Sequence, residues 1–469
     1  LFITFIKLVE SKVLKCYNLV MNKKRLSSTA IILSGFLIVI LIGSILLALP
    51  ISHANGVSIS YIDALFTATT STCVTGLVTV PTVSSWSIFG QIVILILIQI
   101  GGLGVITIIT VAMLLAGKHL GLSDRIIIQD AFNLNTLSGM IIFVRKVIKY
   151  TLFIEGCGAL AYMFIFIPEF GLRGIWISIF NSISAFCNAG LDIISPDSLY
   201  NYRFNIPVNI ITSLLIIMGG LGFIVYLDIF KVLKDYKEKK YFFKRLTLHS
   251  KIVLVSTFIL IFGGALLFFI FEYNNPLTMQ DYSLSQRITV SLFESITTRT
   301  AGFATIPQKN LTNASSLLAL ILMFIGGSPV GTAGGIKTVT IVILLLTSIA
   351  VVKNRNDVSL FNRRLSDTAI RKAMAVTTFS FFTAFISSML LSCVIHTSLL
   401  DILFETISAT ATVGLSRDLT STLPLIGKLI IIITMYFGRI GPISIAVAFY
   451  KKDKKDNLIK NPIEEISVG

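Results

Sequence analysis

Four short polar stretches in a very apolar chain hold the residues best placed to do chemistry: Ser71-Thr72-Cys73-Val74-Thr75-Gly76-Leu77, Ala185-Phe186-Cys187-Asn188-Ala189-Gly190-Leu191, Thr298-Arg299-Thr300-Ala301-Gly302-Phe303 and Ala409-Thr410-Ala411-Thr412-Val413-Gly414-Leu415. Their glycines are 114, 112 and 112 residues apart. A phenylalanine precedes each one: Phe66, Phe180 and Phe404 stand ten residues ahead, Phe293 nine. Successive backbone carbonyls can replace the water shell of a large, weakly hydrated cation such as K+. Such a course needs backbone angles that glycine adopts without steric cost. Four loops in one chain would give one ring, and a short helix ahead of each loop would aim its C-terminal partial negative charge at the axis. The candidate ion-coordinating residues are therefore Val74, Thr75, Gly76, Asn188, Ala189, Gly190, Thr300, Ala301, Gly302, Thr412, Val413 and Gly414, with K+ at their carbonyls. Any one stretch alone reads as a surface turn. The repetition argues for a ring.

A second segment stands out by composition. Gly326-Gly327-Ser328-Pro329-Val330-Gly331-Thr332-Ala333-Gly334-Gly335 holds five glycines and a proline in ten residues, too many to sustain a helix. Inside a membrane its exposed backbone must meet water, ions or polar groups. The sequence predicts a mobile gate beneath the ring, made of Gly326, Gly327, Ser328, Pro329, Gly331, Thr332, Ala333, Gly334 and Gly335; a rigid ion-binding break is the alternative. The matching positions elsewhere are Gly101-Gly102-Leu103-Gly104, Gly219-Gly220-Leu221-Gly222 and Gly438-Arg439-Ile440-Gly441. The first two read as sites of close helix packing. Arg439, a charge placed mid-span, is costly unless it meets water or a partner. It is expected to face the path below the ring as a positive barrier, with an interhelical salt bridge as the alternative. Gly331–Thr338 approaches a phosphate-binding loop, but Ile336 separates the glycine from Lys337.

The elements that must position these residues lie in lipid. A hydrophobic share of 54%, a charged share of 13% and a mean hydropathy of +0.87 exclude an ordinary soluble domain. Runs such as Ile31–Leu49, Ile92–Leu115, Ile252–Phe271 and Leu429–Ala448 are long enough for a helix to cross a core roughly 30 Å thick. The formal charge of +16 could suggest nucleic acid, but its distribution argues otherwise. Segments 1–27, 117–150, 230–251, 353–372 and 450–469 hold 30 of the 39 Lys and Arg, against six in the intervening connections. The positive-inside rule makes the first set cytoplasmic, both termini included. Met21 opens a basic flank before the first apolar run, and residues 1–20 are read as preceding the native start.

The predicted fold is an all-α polytopic membrane protein: four helix–pore-loop–helix repeats, eight spans, around a single central pore. The divisions are a cytoplasmic segment 1–27, repeats at 28–117, 146–230, 251–352 (with a broken second helix) and 372–450, and a tail at 451–469. Expected second helices run from Trp86 to Gly117, Ile206 to Phe230 and Pro424 to Tyr450 without a break. The five cysteines form neither a disulfide framework nor a metal-ligand spacing. The four histidines lie near span ends or in loops and offer no catalytic constellation. A secondary transporter would more often show two halves around a midplane site.

These motifs, with the glycine-rich break and Arg439, resemble the Trk/Ktr/HKT cation transporter superfamily from about Lys23 to Tyr450. The nearest resemblance is to the eight-span membrane subunit of bacterial Ktr potassium-uptake systems. It implies channel-like K+ uptake across the bacterial plasma membrane, a homodimer with one pore per subunit, and a cytosolic nucleotide-binding regulatory ring below. No cofactor in the chain is implied; K+ is the cargo, Na+ a candidate activating ion. Plant HKT members often carry serine where this chain has Gly76. A secondary active cation symporter and a Na+-permeable member of the superfamily remain the alternatives.

Overall fold

The computed structural model describes residues 28–115, 139–234, 242–355 and 357–441. The expectations for 1–27, for the basic stretch 118–138 and for everything after Gly441 lie outside the described residues. Among the described residues the order of elements is a long helix, a short helix and an interrupted helix three times over, then a long helix, a short helix and a third helix that ends at Gly441. First come α1 (Ser28–Leu47), α2 (Tyr61–Cys73), α3 (Ile88–Leu103) and α4 (Val105–Leu115). Next are α5 (Met140–Phe170), α6 (Arg173–Cys187), α7 (Ile206–Leu221) and α8 (Phe223–Lys234). Then follow α9 (Leu248–Glu272), α10 (Leu284–Thr297), α11 (Asn313–Phe324) and α12 (Thr338–Val352). The last are α13 (Asp367–Ser392), α14 (Leu399–Ala411) and α15 (Leu425–Ile440). A two-residue hairpin, Ser359–Leu360 with Arg363–Arg364, joins α12 to α13.

Local chemistry sets the ends. Pro50 follows α1 and opens a single 3-10 turn, as its fixed φ allows. Ser60 and Ser398 cap α2 and α14 by accepting the N–H of Asp63 and Asp401, and Ser283 with Gln286 forms a capping box on α10. Such caps contribute about 1 kcal/mol each. The long helices α1, α5, α9 and α13 are each apolar and long enough to cross a membrane. Their outer faces present Phe153 and Phe164, Phe258 and Phe262, Phe381 and Phe385. That much exposed apolar surface suits lipid and not water.

The interrupted helices correct the sequence reading. Two second helices expected to run straight through are broken at glycine, α3 at Gly104 (φ 84°) and α7 at Gly222 (φ 87°), and α15 ends at Gly441 (φ 90°), the last described residue. The bend between α7 and α8 is 91°. Left-handed φ is strained for any residue with a side chain, so these glycines cause the breaks and do more than permit close packing. Only the third break, between Phe324 and Thr338, falls where it was expected. Consequently four helices among the described residues span by length and composition, or five if the bent pair counts as one.

Candidate functional site: a ring of four glycine loops

The short helices α2, α6, α10 and α14 are held by their buried phenylalanines, each at most 1% exposed. α2, α6 and α14 end in a left-handed residue: Val74 (φ 55°), Asn188 (φ 59°) and Thr412 (φ 51°). In α10 the left-handed turn comes at Thr300 (φ 69°), and one residue fewer separates Phe293 from its glycine. β-Branched residues tolerate this conformation only where the surroundings over-determine it.

The over-determination is visible in each loop. Four residues standing four positions after the phenylalanines, Thr70, Ser184, Thr297 and Ser408, each bind the loop twice. Their carbonyls accept the N–H of Thr75, Ala189, Ala301 and Val413 at 2.8–2.9 Å. Their hydroxyls take a second contact. Thr70 Oγ1 and Ser408 Oγ accept the N–H of Gly76 and Gly414 at 3.0 Å, whereas Ser184 Oγ and Thr297 Oγ1 donate to the carbonyls of Leu191 and Phe303. These braces were missed in the sequence, although a Phe-x-x-x-Ser/Thr spacing four times over was there to find.

The four loops meet. A Cβ added to Gly76 would stand 2.6 Å from the carbonyl oxygen of Ala189, one on Gly190 2.6 Å from that of Ala301, and one on Gly302 2.5 Å from that of Val413. One on Gly414 would overlap the carbonyl oxygen of Thr75, which closes the circuit. All four glycines have positive φ, from 65° to 97°. The geometry leaves no room for side chains and sets backbone oxygens side by side around one axis.

The glycine-rich segment lies against this ring. Ser328 and Thr332 N–H donate to the carbonyls of Gly220 and Gly219, and Phe223 N–H donates to that of Val330. Thr332 Oγ1 donates to the Phe186 carbonyl at 2.9 Å, and Gly334 N–H to Thr300 Oγ1 at 3.1 Å. Ile325 and Ile336 form a parallel bridge across its base. The segment thus touches the second and third loops directly, and a side chain on Gly334 would collide with Thr412 of the fourth.

Two cations clasp it. Arg439 donates from Nη1 to the Thr332 carbonyl at 2.7 Å and from Nη2 to the Gly101 carbonyl at 2.5 Å. Among the described residues no carboxylate lies in ion-pair range of Arg439, so carbonyls replace the salt bridge that sequence left open. Lys337 Nζ donates to the carbonyls of Ala333 and Gly334. Arg299, grouped with the outer connections by position, is instead buried behind the third loop, its Nη2 within 3.5 Å of Thr257 Oγ1. Its place just past the end of α10 sets a positive charge at a negative helix terminus. At the starts of two short helices, Lys428 of α15 pairs with Asp63 of α2 at 2.6 Å, and Arg417, beyond the fourth loop, pairs with Asp401 of α14 at 2.7 Å. Burial pushes the Asp192 carboxyl, two residues beyond Gly190, up to about 6.

Known proteins resemble this chain in sequence and in fold. A family profile described as "TrkH: Cation transport protein" matches residues 2–461. The chain is 40% identical over 453 residues to the "Potassium/sodium uptake protein NtpJ" of Enterococcus hirae, covering 95% of this chain and 98% of that one. It is 37% identical over 446 residues to the "Ktr system potassium uptake protein B" of Bacillus subtilis, covering 95% and 97%. The crystal structure of the potassium transporter TrkH from Vibrio parahaemolyticus shares the fold, with a TM-score of 0.69 at 17% identity over 90% of this chain and 86% of that one. On the family match and the full-length relatives together, this chain is a member of the TrkH cation transport protein family.

Proposed function

We propose that this chain takes up K+ across the bacterial plasma membrane through a pore lined by the four glycine loops. The observation that carries the reading is the closed circuit Gly76–Ala189, Gly190–Ala301, Gly302–Val413, Gly414–Thr75. Carbonyls of Val74, Thr75 and Gly76 and their counterparts Asn188, Ala189 and Gly190, Thr300, Ala301 and Gly302, and Thr412, Val413 and Gly414 serve as the coordinating oxygens. They replace the hydration shell of K+ at low cost because the hydroxyl braces hold them in place before the ion arrives. Two of the quoted relatives carry potassium uptake in their names, which supports the cargo.

In this reading α2, α6, α10 and α14 enter and leave the membrane on the outer side, and the four helix triplets are repeats that supply eight spans. The interrupted pairs α3–α4, α7–α8 and α11–α12 each make one span, with α15 beginning the last; the repeat limits are 28–117, 146–230, 251–352 and 372–450. The segment Gly326–Gly335, with Ser328, Pro329, Gly331, Thr332 and Ala333 between its paired glycines, is the gate, and Arg439 is its latch and a positive barrier below the ring. A homodimer, a cytosolic nucleotide-binding ring acting through the basic α12–α13 connection, and both termini inside complete the proposal. The name of the Enterococcus relative favours a role for Na+ as second cargo or activating ion.

The test is rescue of a potassium-uptake-deficient bacterium on low K+, with and without a co-expressed regulatory subunit. Growth that depends on this chain, with Rb+ or K+ flux into vesicles holding the purified protein, is expected. Vesicles that carry Na+ but not K+ would overturn the cargo assignment.

A further inference from the structure

The residue following each buried phenylalanine is polar and enclosed: Thr67, Asn181, Glu294 and Glu405. Two of the four are therefore carboxyls at matching positions of α10 and α14, both 0% exposed, and their surroundings differ. Glu405 is fully supplied with donors. Ser416 Oγ donates to its Oε2 at 2.7 Å and Thr420 Oγ1 donates to its Oε1. These hydroxyls stand two and six residues beyond Gly414. Counted from Gly302, the same two places hold Ala304 and Gln308.

Glu294 consequently has no donor on either oxygen. Gln308 lies beside it; one of its two amide hydrogens goes to the Ile306 carbonyl at 3.1 Å, and its Oε1 has no partner either. Three acceptor oxygens are thus buried in neighbouring side chains without a hydrogen bond to any of them. A buried carboxylate with no donor and no counter-charge is far more costly than a neutral acid, and a proton needs no added room in an enclosed site.

The charged groups around it favour the same state. From α9 the ionisable group acting on Glu294 is Glu272, already supplied by Asn275 Nδ2, Thr278 Oγ1, and the N–H and hydroxyl of Thr312. It keeps its negative charge, which disfavours a second one nearby. α7, packed on α10 from the other side, brings no ionisable residue. Arg299 on the same segment turns to Thr257, and Arg417 is engaged by Asp401, Ser316 Oγ and the backbone carbonyl of Gln308.

We propose that Glu294 is a positioning residue protonated at neutral pH, whose hydroxyl donates to Gln308 Oε1 and braces the turn after the third loop, where Glu405 braces the turn after the fourth by accepting from two hydroxyls. The third and fourth quarters of the ring thus stand on matching carboxyls that are held in opposite senses, one as donor and one as acceptor. The functional meaning rests on the pore reading above; the protonation state does not.

Infrared difference spectra of the purified protein in lipid vesicles read that state directly. A protonated-carboxyl carbonyl band at neutral pH is expected, lost in Glu294→Gln and retained in Glu405→Gln. Glu294→Gln should also transport K+ within about twofold of the parent with an unaltered K+/Na+ ratio across neutral pH, since a neutral amide replaces a neutral acid. Gln308→Ala, which removes the acceptor, should shift the band. A spectrum identical in the parent and Glu294→Gln would overturn the proposal, as would a band that appears only when Na+ and K+ are withdrawn, which would make the site a cation site. If the band behaves as stated but the vesicles carry no K+, the pore reading fails and the protonation assignment stands.

Discussion

Replacing Arg439 by alanine separates a latch from a bystander. The guanidinium joins the Thr332 carbonyl of the glycine-rich segment to the Gly101 carbonyl of α3, at 2.7 and 2.5 Å. A charge-assisted bond of this kind is worth about 1.5–3 kcal/mol. If the pair holds only the blocked arrangement and one bond's worth is lost to water on opening, the differential is about 3 kcal/mol, close to a hundredfold in the ratio of blocked to open. On the proposed gate, Arg439→Ala should therefore raise Rb+ influx into vesicles towards the fully open limit and remove most of any increase that a co-expressed regulatory subunit provides. Arg439→Lys, whose compact ammonium cannot bridge two carbonyls as a fork does, should fall between. A variant that folds and inserts as the parent does, yet shows the same flux and the same response to the subunit, would refute the latch.

Three further outcomes follow from the geometry. Gly190→Ser forces a side chain at φ 65° into the Ala301 carbonyl, and should cut K+/Na+ discrimination in competitive uptake by at least about tenfold, the effect of a 1.4 kcal/mol change; an unchanged ratio would remove Gly190 from the ion path. Ser408→Ala leaves the Gly414 N–H without its acceptor and should weaken discrimination, whereas Ser408→Thr, which keeps the hydroxyl, should restore it. Asp192, two residues beyond Gly190, is a pH-sensitive group: because burial raises it to about 6, the fold favours the protonated form, that contribution is lost as pH rises through about 6, and the charge is present mainly above it. Asp192→Asn should accordingly raise the melting temperature at neutral pH and flatten the fall in low-K+ uptake as external pH drops through about 6. A parent whose uptake is level across that range would contradict it.

The glycine loops and the long break before Thr338 were legible because the signal is local: glycine takes φ > 0 at no steric cost, and proline beside several glycines ends a helix wherever it occurs. The interruptions at Gly104 and Gly222 and the end of α15 at Gly441 were not, since a glycine within an apolar run satisfies packing and breaking equally well, and only tertiary contact decides between them. The same ambiguity inflated the sequence count of uninterrupted spans. Partners of charged residues were illegible for another reason. Lys428 and Asp63 are 365 residues apart, and no periodicity encodes such a pair. Arg299 misled because a cation in a short connection counts as a surface residue until the chain folds over it.

The hydroxyl braces carry a wider consequence. In an ion path assembled from four identical chains, a substitution enters at every quarter together, and its effect arrives at full dose. Here the first and fourth braces hold a glycine N–H, the second and third hold the next carbonyl, and each is encoded separately. If the ring is the ion path proposed above, its selectivity can be altered one quarter at a time, so evolution or an engineer can move along a graded series of intermediates between a strict and a permissive path without passing through a broken one.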